Sequence, residues 1–443
     1  MHQLRIEYRP VADLKPRTSN PRTHTEKQIK QIAASIQRFG FTNPILIDDA
    51  EGIVAGHGRI AAAKQLGIGE VPTVRLAEMS EAEIRAYVIA DNRLAENAGW
   101  DRELLAIEFQ YLAELDLDFD LAITGFELPE IDILIDELNA DGGELDAADA
   151  VPDVVDGPAV TQPGDVWIIG KHRLICGNAL EAETYERLLG NERAQMVFTD
   201  PPYNVPIAGH VSGLGKVTHR EFAMASGEMS SEAFTQFLIQ AFDKLAAWSA
   251  DGALHLICMD WRHMREILAS GEAVYDELKN LCVWAKTSGG MGSLYRSQHE
   301  LVFIFKAGTG AHINNVELGR HGRNRTNVWT YPGVNAFGAN RDDLELHPTV
   351  KPVELVADAI RDCSHRGGIV LDAFAGSGTT LVAAQKTGRV ARAIEIDPHY
   401  CDVIIARMEK IFGFEARLEA TGHSYAEAAA DRCVDDSDKE AVA

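Results

Sequence analysis

Residues 199–205 read TDPPYNV and follow directly on the apolar run MVFT, 196–199. Two adjacent prolines remove two backbone donors and stiffen the turn, leaving carbonyls free to accept. Asp200 adds a carboxylate acceptor, and Tyr203 adds an aromatic face. This combination suits a planar ring that carries an amino group. A second candidate is LDAFAGSGTT, 371–380, where Gly376 and Gly378 follow a β-branched run and let the backbone approach a ligand closely. The GK[ST] ending of a phosphate loop is missing, which disfavours a nucleotide triphosphatase. The run IEID, 394–397, ends the next apolar stretch, roughly 20 residues on, where a carboxylate can accept from a ribose diol. Glu395 is the first choice for that acceptor and Asp397 the second. The six cysteines are scattered, with no CxxC or Cys/His cluster, so neither a metal site nor a disulfide framework is expected.

Taken in order, DPPY (200–203), HPTVKP (347–352) and FAGSGTT (374–380) resemble the DNA amino-methyltransferases of the β group, in which the catalytic half precedes the cofactor half. The resemblance covers about 160–412. It implies S-adenosyl-L-methionine held by Phe374, Ala375, Gly376, Ser377 and Gly378, with Asp372 beside the loop and Glu395 on the ribose. It also implies that His347, Pro348, Thr349 and Lys351 lie against the methionine end. Asn178, in CGNAL, stands near the adenine where the family often has Asp. Asp200, Pro201, Pro202 and Tyr203 become the catalytic tetrad, acting without a covalent intermediate. The target atom is inaccessible inside double-stranded DNA, so the base should flip out and stack on Tyr203. Adenine N6 is the preferred acceptor and cytosine N4 the alternative. Target recognition is expected within 206–346, where Arg320, Arg323, Arg325 and Arg341 are candidates for phosphate or guanine contacts. The Gly-rich stretch 208–220 is a candidate to order over DNA. Relatives of this group dimerise, so a homodimer is expected. No restriction endonuclease is recognisable, which suits an orphan, phage-type modification enzyme.

A second resemblance lies at the N-terminus. The segments SNPR (19–22), 26–38 and IVAGHGRIAAAKQLG (53–67) are similar to the ParB/sulfiredoxin-like domain. The resemblance implies an anion site at Gly56, Gly58 and Arg59, where a helix begins. His57 stands where that family usually has Glu, which argues against nucleotide hydrolysis. The competing reading of the whole chain is a ParB-like DNA-binding factor with an inactive methyltransferase domain.

These residues need elements to hold them. The sequence divides into a small α/β domain at 1–98, a helical connector with an acidic linker at 99–158, a doubly wound, Rossmann-like α/β domain at 159–414, and an acidic tail at 415–443 expected to be disordered. In the first part, 26–39 and 59–66 read as helices, 44–49, 52–56 and 71–76 as strands, and Ser80 with Glu83 as a capping box. In the connector, Leu104, Leu105, Tyr111, Leu112 and Leu115 suggest one core face, and Ile131, Leu134, Ile135 and Leu138 another. In the third part, strands are expected at 196–199, 254–258, 281–284, 301–305, 368–374 and 391–396. Helices are expected at 231–248, 353–363, 379–387 and 398–411.

The net charge of −25 looks unfavourable for a DNA enzyme, but residues 101–158 hold one basic and 18 acidic residues. The tail adds eight acidic residues against three basic ones. Local charge at the site decides nucleic-acid affinity, not the total. No signal peptide and no apolar run of about 18 residues appears, so a cytoplasmic protein without a membrane span is expected.

Overall fold

The computed structural model describes all residues except 1–3, 18–20, 116, 118, 140–146, 153, 155–156, 205–228, 288–293, 319–324, 333–349 and 441–443. Arg320, Arg323, Arg341, His347, Pro348, Thr349 and the stretch 208–220 therefore lie outside the described residues. The chain divides into two compact units, Met1–Asp141 and Gly142–Ala443.

The first unit contains β1 (Ile6–Pro10), α1 (Glu26–Phe39), β2 (Ile45–Ile47), β3 (Ile53–Ala55), α2 (His57–Gln65), β4 (Glu70–Arg75) and α3 (Glu81–Glu96). Its four-stranded sheet runs β1-β4-β2-β3, with β2 parallel to β4. Ile45, Ile47, Ile53, Ile60 and Val71 form its core. The capping box at Ser80 and Glu83 is present and starts α3. Strand β1 has no buried residue, so no alternation marks it; backbone pairing with β4 makes it a strand.

The same unit continues into α4 (Arg102–Glu114) and α5 (Leu128–Asn139), joined through a 3-10 turn at Leu121–Thr124. Ala106, Phe109, Ile131, Leu134 and Ile135 make their common core. Here the face expected for α4 is corrected. Leu104, Tyr111 and Leu115 are exposed, because α4 is turned so that Ala106 and Phe109 meet α5. Phe126 closes this core edge-on against Phe109 and Trp100.

The second unit contains β5 (Val166–Ile169), β6 (His172–Cys176), α6 (Ala182–Leu189), β7 (Ala194–Thr199), α7 (Ser231–Ala247), β8 (Ser249–Met259), α8 (Met264–Val274), β9 (Glu277–Ala285), β10 (His299–Ala307) and β11 (Val328–Thr330). It continues with α9 (Val353–Cys363), β12 (Ile369–Asp372), α10 (Thr379–Lys386), β13 (Val390–Glu395), α11 (Pro398–Phe412), β14 (Ala416–Leu418) and α12 (Tyr425–Glu440). The ten-stranded sheet runs β11-β9-β10-β8-β7-β12-β13-β6-β5-β14. The strands β8, β7, β12, β13 and β6 run parallel, and β10 and β5 run against their neighbours.

Alternation along each strand fills two cores, since successive side chains point to opposite faces. Met196 and Phe198 pack on one face with α9, α10 and α11; Val197 packs on the other with α6, α7 and α8. The architecture is thus the expected doubly wound α/β one, extended on one side by β10, β9 and β11 and on the other by the antiparallel β5 and β14.

The expectation of a disordered tail is corrected, and part of the acidic linker is packed. The tail does not fall away after 414: β14 pairs antiparallel with β5, and Arg432 of α12 pairs with Asp165 at 2.6 Å. The strand adds backbone bonds to an open sheet edge, which composition alone does not register. Within the acidic linker, Ala148 is buried in the core, its carbonyl accepts from Arg407 at 2.7 Å, and Asp149 accepts from the Val353 N–H at 2.8 Å. Among the described residues no helix is long and apolar enough to cross a membrane.

Candidate active site

In an open parallel sheet the ends of neighbouring strands on either side of a switch in strand order form a crevice. Here β7 and β12 are those neighbours, in parallel register at Leu371 and Val197. One ends in Asp200-Pro201-Pro202-Tyr203 and the other in Asp372 and the Gly376–Gly378 loop. Two motifs far apart in sequence thus open at one edge. Thr199 ties the strands directly, donating its hydroxyl to Asp372 Oδ1 at 2.8 Å.

Asp372 is buried and both its oxygens are engaged. Oδ1 also accepts from the Phe374 N–H at 3.1 Å, and Oδ2 accepts from the Thr380 hydroxyl at 2.6 Å. Burial pushes its carboxyl up to about 6, offset in part by Thr380 and Thr199. Its geometry is that of a loop anchor, not of a ligand group.

The loop itself turns through Gly376 at φ 52° and Gly378 at φ 84°. A Cβ on Gly376 would meet nothing within 4 Å, whereas one on Gly378 would lie 2.9 Å from Ile404. So the first glycine faces open space and the second lets α11 pack closely. Glu395, at the end of β13, accepts from the Gly376 N–H at 2.8 Å and from the Asp397 N–H at 2.9 Å. Burial pushes its carboxyl up to about 7 despite those two donors. Asn178 follows β6, which pairs with β13 at Cys176 and Glu395. The Gly177 N–H donates to the Glu395 carbonyl at 2.9 Å, which sets Asn178 beside Glu395. Asn178 Oδ1 caps Leu180 at 3.0 Å.

The tetrad side of the crevice is densely charged. Lys351, just ahead of α9, is only 6% exposed. Its Nζ lies 2.5 Å from Asp200 Oδ2 and 2.9 Å from Glu300 Oε2. Lys286 also pairs with Glu300. The Tyr203 hydroxyl donates to Asp200 Oδ1 at 2.5 Å. Burial raises the Asp200 carboxyl, and Lys351 pulls it back only in part. Burial also opposes the charge on Glu300, but Lys351 and Lys286 overcome it and hold the carboxyl down at about 2. Burial disfavours the Lys351 ammonium, yet Asp200 and Glu300 keep it above its ordinary value.

Four functional neighbours were not singled out from the sequence. Glu300 and Lys286 reach the site because β10 runs antiparallel, so its first residues meet the last residues of β9, with Glu300 opposite Trp284. Only hydrophobic runs mark those strands in sequence. Arg407, buried in α11, donates to the Ser377 carbonyl at 3.0 Å and so steadies the glycine loop. Asn204 adopts φ 52°, a left-handed conformation that Asn tolerates. Its amide bonds the Met229 carbonyl at 2.9 Å and N–H at 3.1 Å, pinning the end of the tetrad.

Arg325 is the one described member of the four arginines expected on DNA, and it is turned inward. It pairs with Asp358 at 2.5 Å and Asp362 at 2.9 Å, both on α9. Tyr331 shares this cluster: its hydroxyl accepts from Arg325 at 3.1 Å and bonds Asp358. These partners occupy Arg325, so it joins β11 to α9 and is not offered to a nucleic acid. No group of three or more His, Cys, Asp or Glu is placed to hold a metal among the described residues.

In the first unit, Gly56 at φ 103° opens α2, and a cleft of about 240 Å³ is lined by Arg22, His24, Gly56, His57, Gly58 and Arg59, among others. Burial, with the charges of His24 and Arg17, lowers the His57 imidazole, and burial lowers Arg59. Arg59 Nη1 donates to the Asn43 carbonyl at 3.0 Å.

Three family models match the chain: a ParB N-terminal domain at 1–93, a ParB-methyltransferase HTH domain at 103–163 and a DNA methylase of the N6/N4 type at 194–407. Over 81 residues the chain is 43% identical to the ParB-like nuclease domain-containing protein YnaK of Escherichia coli (strain K12), covering 18% of this chain and 93% of that one. It is 41% identical over 90 residues to the type II methyltransferase M.ScaI of Streptomyces caespitosus, covering 20% of this chain and 29% of that one. It is 25% identical over 261 residues to the type II methyltransferase M.HpaI of Haemophilus parainfluenzae, covering 55% and 76%. The crystal structure of the M1.HpyAVI-SAM complex matches at a TM-score of 0.38 and 17% identity, over 53% of this chain and 98% of that one.

Proposed function

Since the chain belongs to the N6/N4 DNA methylases, with a ParB N-terminal domain and an HTH segment ahead of the methylase, we propose that it transfers a methyl group from S-adenosyl-L-methionine to adenine N6 in double-stranded DNA. The observation that carries this reading is the shared edge of β7 and β12, which sets Asp200 beside the glycine loop. The open space at Gly376 and the buried carboxylate of Glu395 fit a cofactor whose ribose diol donates to Glu395 and whose chain runs along Phe374, Ala375, Ser377 and Gly378. Asn178 borders its adenine end, and His347, Thr349 and Lys351 its methionine end. When bound, the cofactor supplies an electrophilic sulfonium methyl.

The protein's part is alignment and charge stabilisation. An exocyclic amine is a weak nucleophile because its lone pair is delocalised into the ring. Asp200 and the Pro201 carbonyl accept its two hydrogens and let the nitrogen become tetrahedral, while Pro202 stiffens the turn and Tyr203 carries the flipped ring. An N–C bond forms as an S–C bond breaks, and the nitrogen then loses one proton, which Asp200 is placed to accept. The preference for adenine rests on the DPPY form of the tetrad.

DNA phosphates need cations, and residues 101–158 hold a single one, Arg102. We therefore assign phosphate contacts to the methylase unit, including Arg320, Arg323 and Arg341, and to the anion cleft at Gly56, Gly58 and Arg59. A reducing cytoplasm, with DNA and cofactor at hand, is the matching location.

Expression in a host without DNA methylation, followed by digestion of the DNA and mass spectrometry of the nucleosides, tests the reading. N6-methyladenine that vanishes with Asp200→Ala is the expected result. N4-methylcytosine would overturn the choice of base, and neither product would leave a DNA-binding factor.

A further inference from the structure

Both oxygens of Asp200 are already engaged: Oδ1 by the Tyr203 hydroxyl and Oδ2 by the Lys351 ammonium. A carboxylate oxygen can accept two hydrogen bonds, so an incoming amino group must share an oxygen with one of these partners and competes with it for the charge. Lys351 is almost wholly buried, so simply breaking its pair with Asp200 would leave a desolvated ammonium short of a counter-charge. The structure contains an alternative. Lys286, Glu300, Lys351 and Asp200 form a row of alternating charge, and Lys351 stands between its two carboxylates at 2.9 and 2.5 Å. The outer end of the row is fixed, since Lys286 also lies over the Trp284 ring at 4.6 Å, and Trp284 donates to the Tyr331 carbonyl at 3.0 Å.

We propose that Glu300 is a positioning residue for methyl transfer: it receives the Lys351 ammonium when the amino group arrives, so that Asp200 is freed as an acceptor while the pocket stays neutral. The proposal rests on the reading of Asp200 as the acceptor of the target amine. Moving the ammonium from one carboxylate to the other changes no net charge and needs no proton. Among the described residues, Tyr203, Lys351, Glu300, Cys258 of β8 and Asp372 of β12 are the titratable groups that face Asp200. Lys351 is the cation among them, so its position sets how readily Asp200 stays ionised. Glu300 is suited to the task because its two lysines keep it charged, down to about pH 2.

The test uses the full-length protein, with kcat, KM for S-adenosyl-L-methionine and the pH profile of kcat measured for Glu300→Gln, Glu300→Asp and Lys286→Met. Glu300→Gln confines Lys351 to Asp200 and removes a negative neighbour. Its kcat should fall at least ~10-fold, as expected for loss of an aligned group; its KM for the cofactor should hold, and the acid limb should move to lower pH. Glu300→Asp should recover part of the rate. Lys286→Met acts in the opposite sense: Glu300 draws Lys351 more strongly, and the acid limb should move to higher pH. Because Lys286 is the most exposed member of the row after Asp200, this variant keeps the test alive if Glu300→Gln does not fold. Wild-type kcat in Glu300→Gln, or a lower rate with both acid limbs unmoved, overturns the proposal. Asp200→Asn separates the two layers. If it methylates at the wild-type rate, the acceptor reading itself fails; if it is inactive while Glu300→Gln is unaffected, only the role of Glu300 falls.

Discussion

The Gly376 N–H donates to the Glu395 carboxylate at 2.8 Å, across the parallel pair β12 and β13. One residue thus fixes the glycine loop and presents the carboxylate proposed for the ribose. Burial raises that carboxyl from 4.5 to about 7, so the folded chain holds this proton more tightly than the unfolded chain. Stability contributed by the protonated form is full below about pH 4.5 and is lost as pH rises through about 7. A ribose diol donating to Glu395 favours the ionised form. Cofactor binding should therefore release a proton and tighten as pH climbs toward 7. Calorimetry in buffers of different ionisation enthalpy measures that proton, and Glu395→Gln should abolish it.

The two glycines of the loop should respond differently to alanine. At Gly378 a methyl group meets Ile404 at 2.9 Å and φ is 84°, so Gly378→Ala should cost about 1–3 kcal/mol of stability. At Gly376 there is room, and only φ of 52° opposes the change. Gly376→Ala should lose about 1 kcal/mol, yet weaken cofactor binding more, because the methyl group enters the space that the cofactor backbone contact requires. Thermal unfolding and cofactor Kd, measured on the same two proteins, give the comparison.

Arg325→Ala should act on stability, not on DNA affinity. It takes the shared cation from Asp358 and Asp362, although Arg361 still pairs with Asp358 at 3.0 Å, so the loss should be about 1–3 kcal/mol. The salt dependence of DNA binding should keep its slope, since a phosphate contact would have contributed about one unit to it. A reduced slope with unchanged unfolding would return Arg325 to the DNA surface.

Removing residues 415–443 should destabilise the second unit. The truncation deletes β14 from the edge of β5 and the Arg432–Asp165 pair. It also exposes Trp167, which packs against Tyr425 at 5.6 Å. A drop in Tm is expected; an unchanged Tm would restore the disordered tail that composition suggests.

Local signals were enough for much of this protein. The helices at α1, α7, α9, α10 and α11 and the central strands β7, β12 and β13 were legible because periodicity, caps and glycine loops act over a few residues. The three motifs DPPY, HPTVKP and FAGSGTT, and their order, already named the chemistry. What sequence could not supply depends on contacts between distant segments. Glu300 and Lys286 sit within or just after hydrophobic strands that look like plain core, and the antiparallel run of β10 along β9 pairs them with each other and sets Glu300 against Lys351. Arg325 lies in a basic loop that reads as a DNA surface until Asp358 and Asp362, one helical turn apart on α9, claim its charge. The tail looks disordered by composition and the linker reads only as an acidic tether, but a buried Ala148, a capping Asp149 and an open edge at β5 order parts of both. Sequence therefore determined which groups can do chemistry. Tertiary structure decided which of them are free to do it, because a buried charge takes whichever partner the fold places beside it.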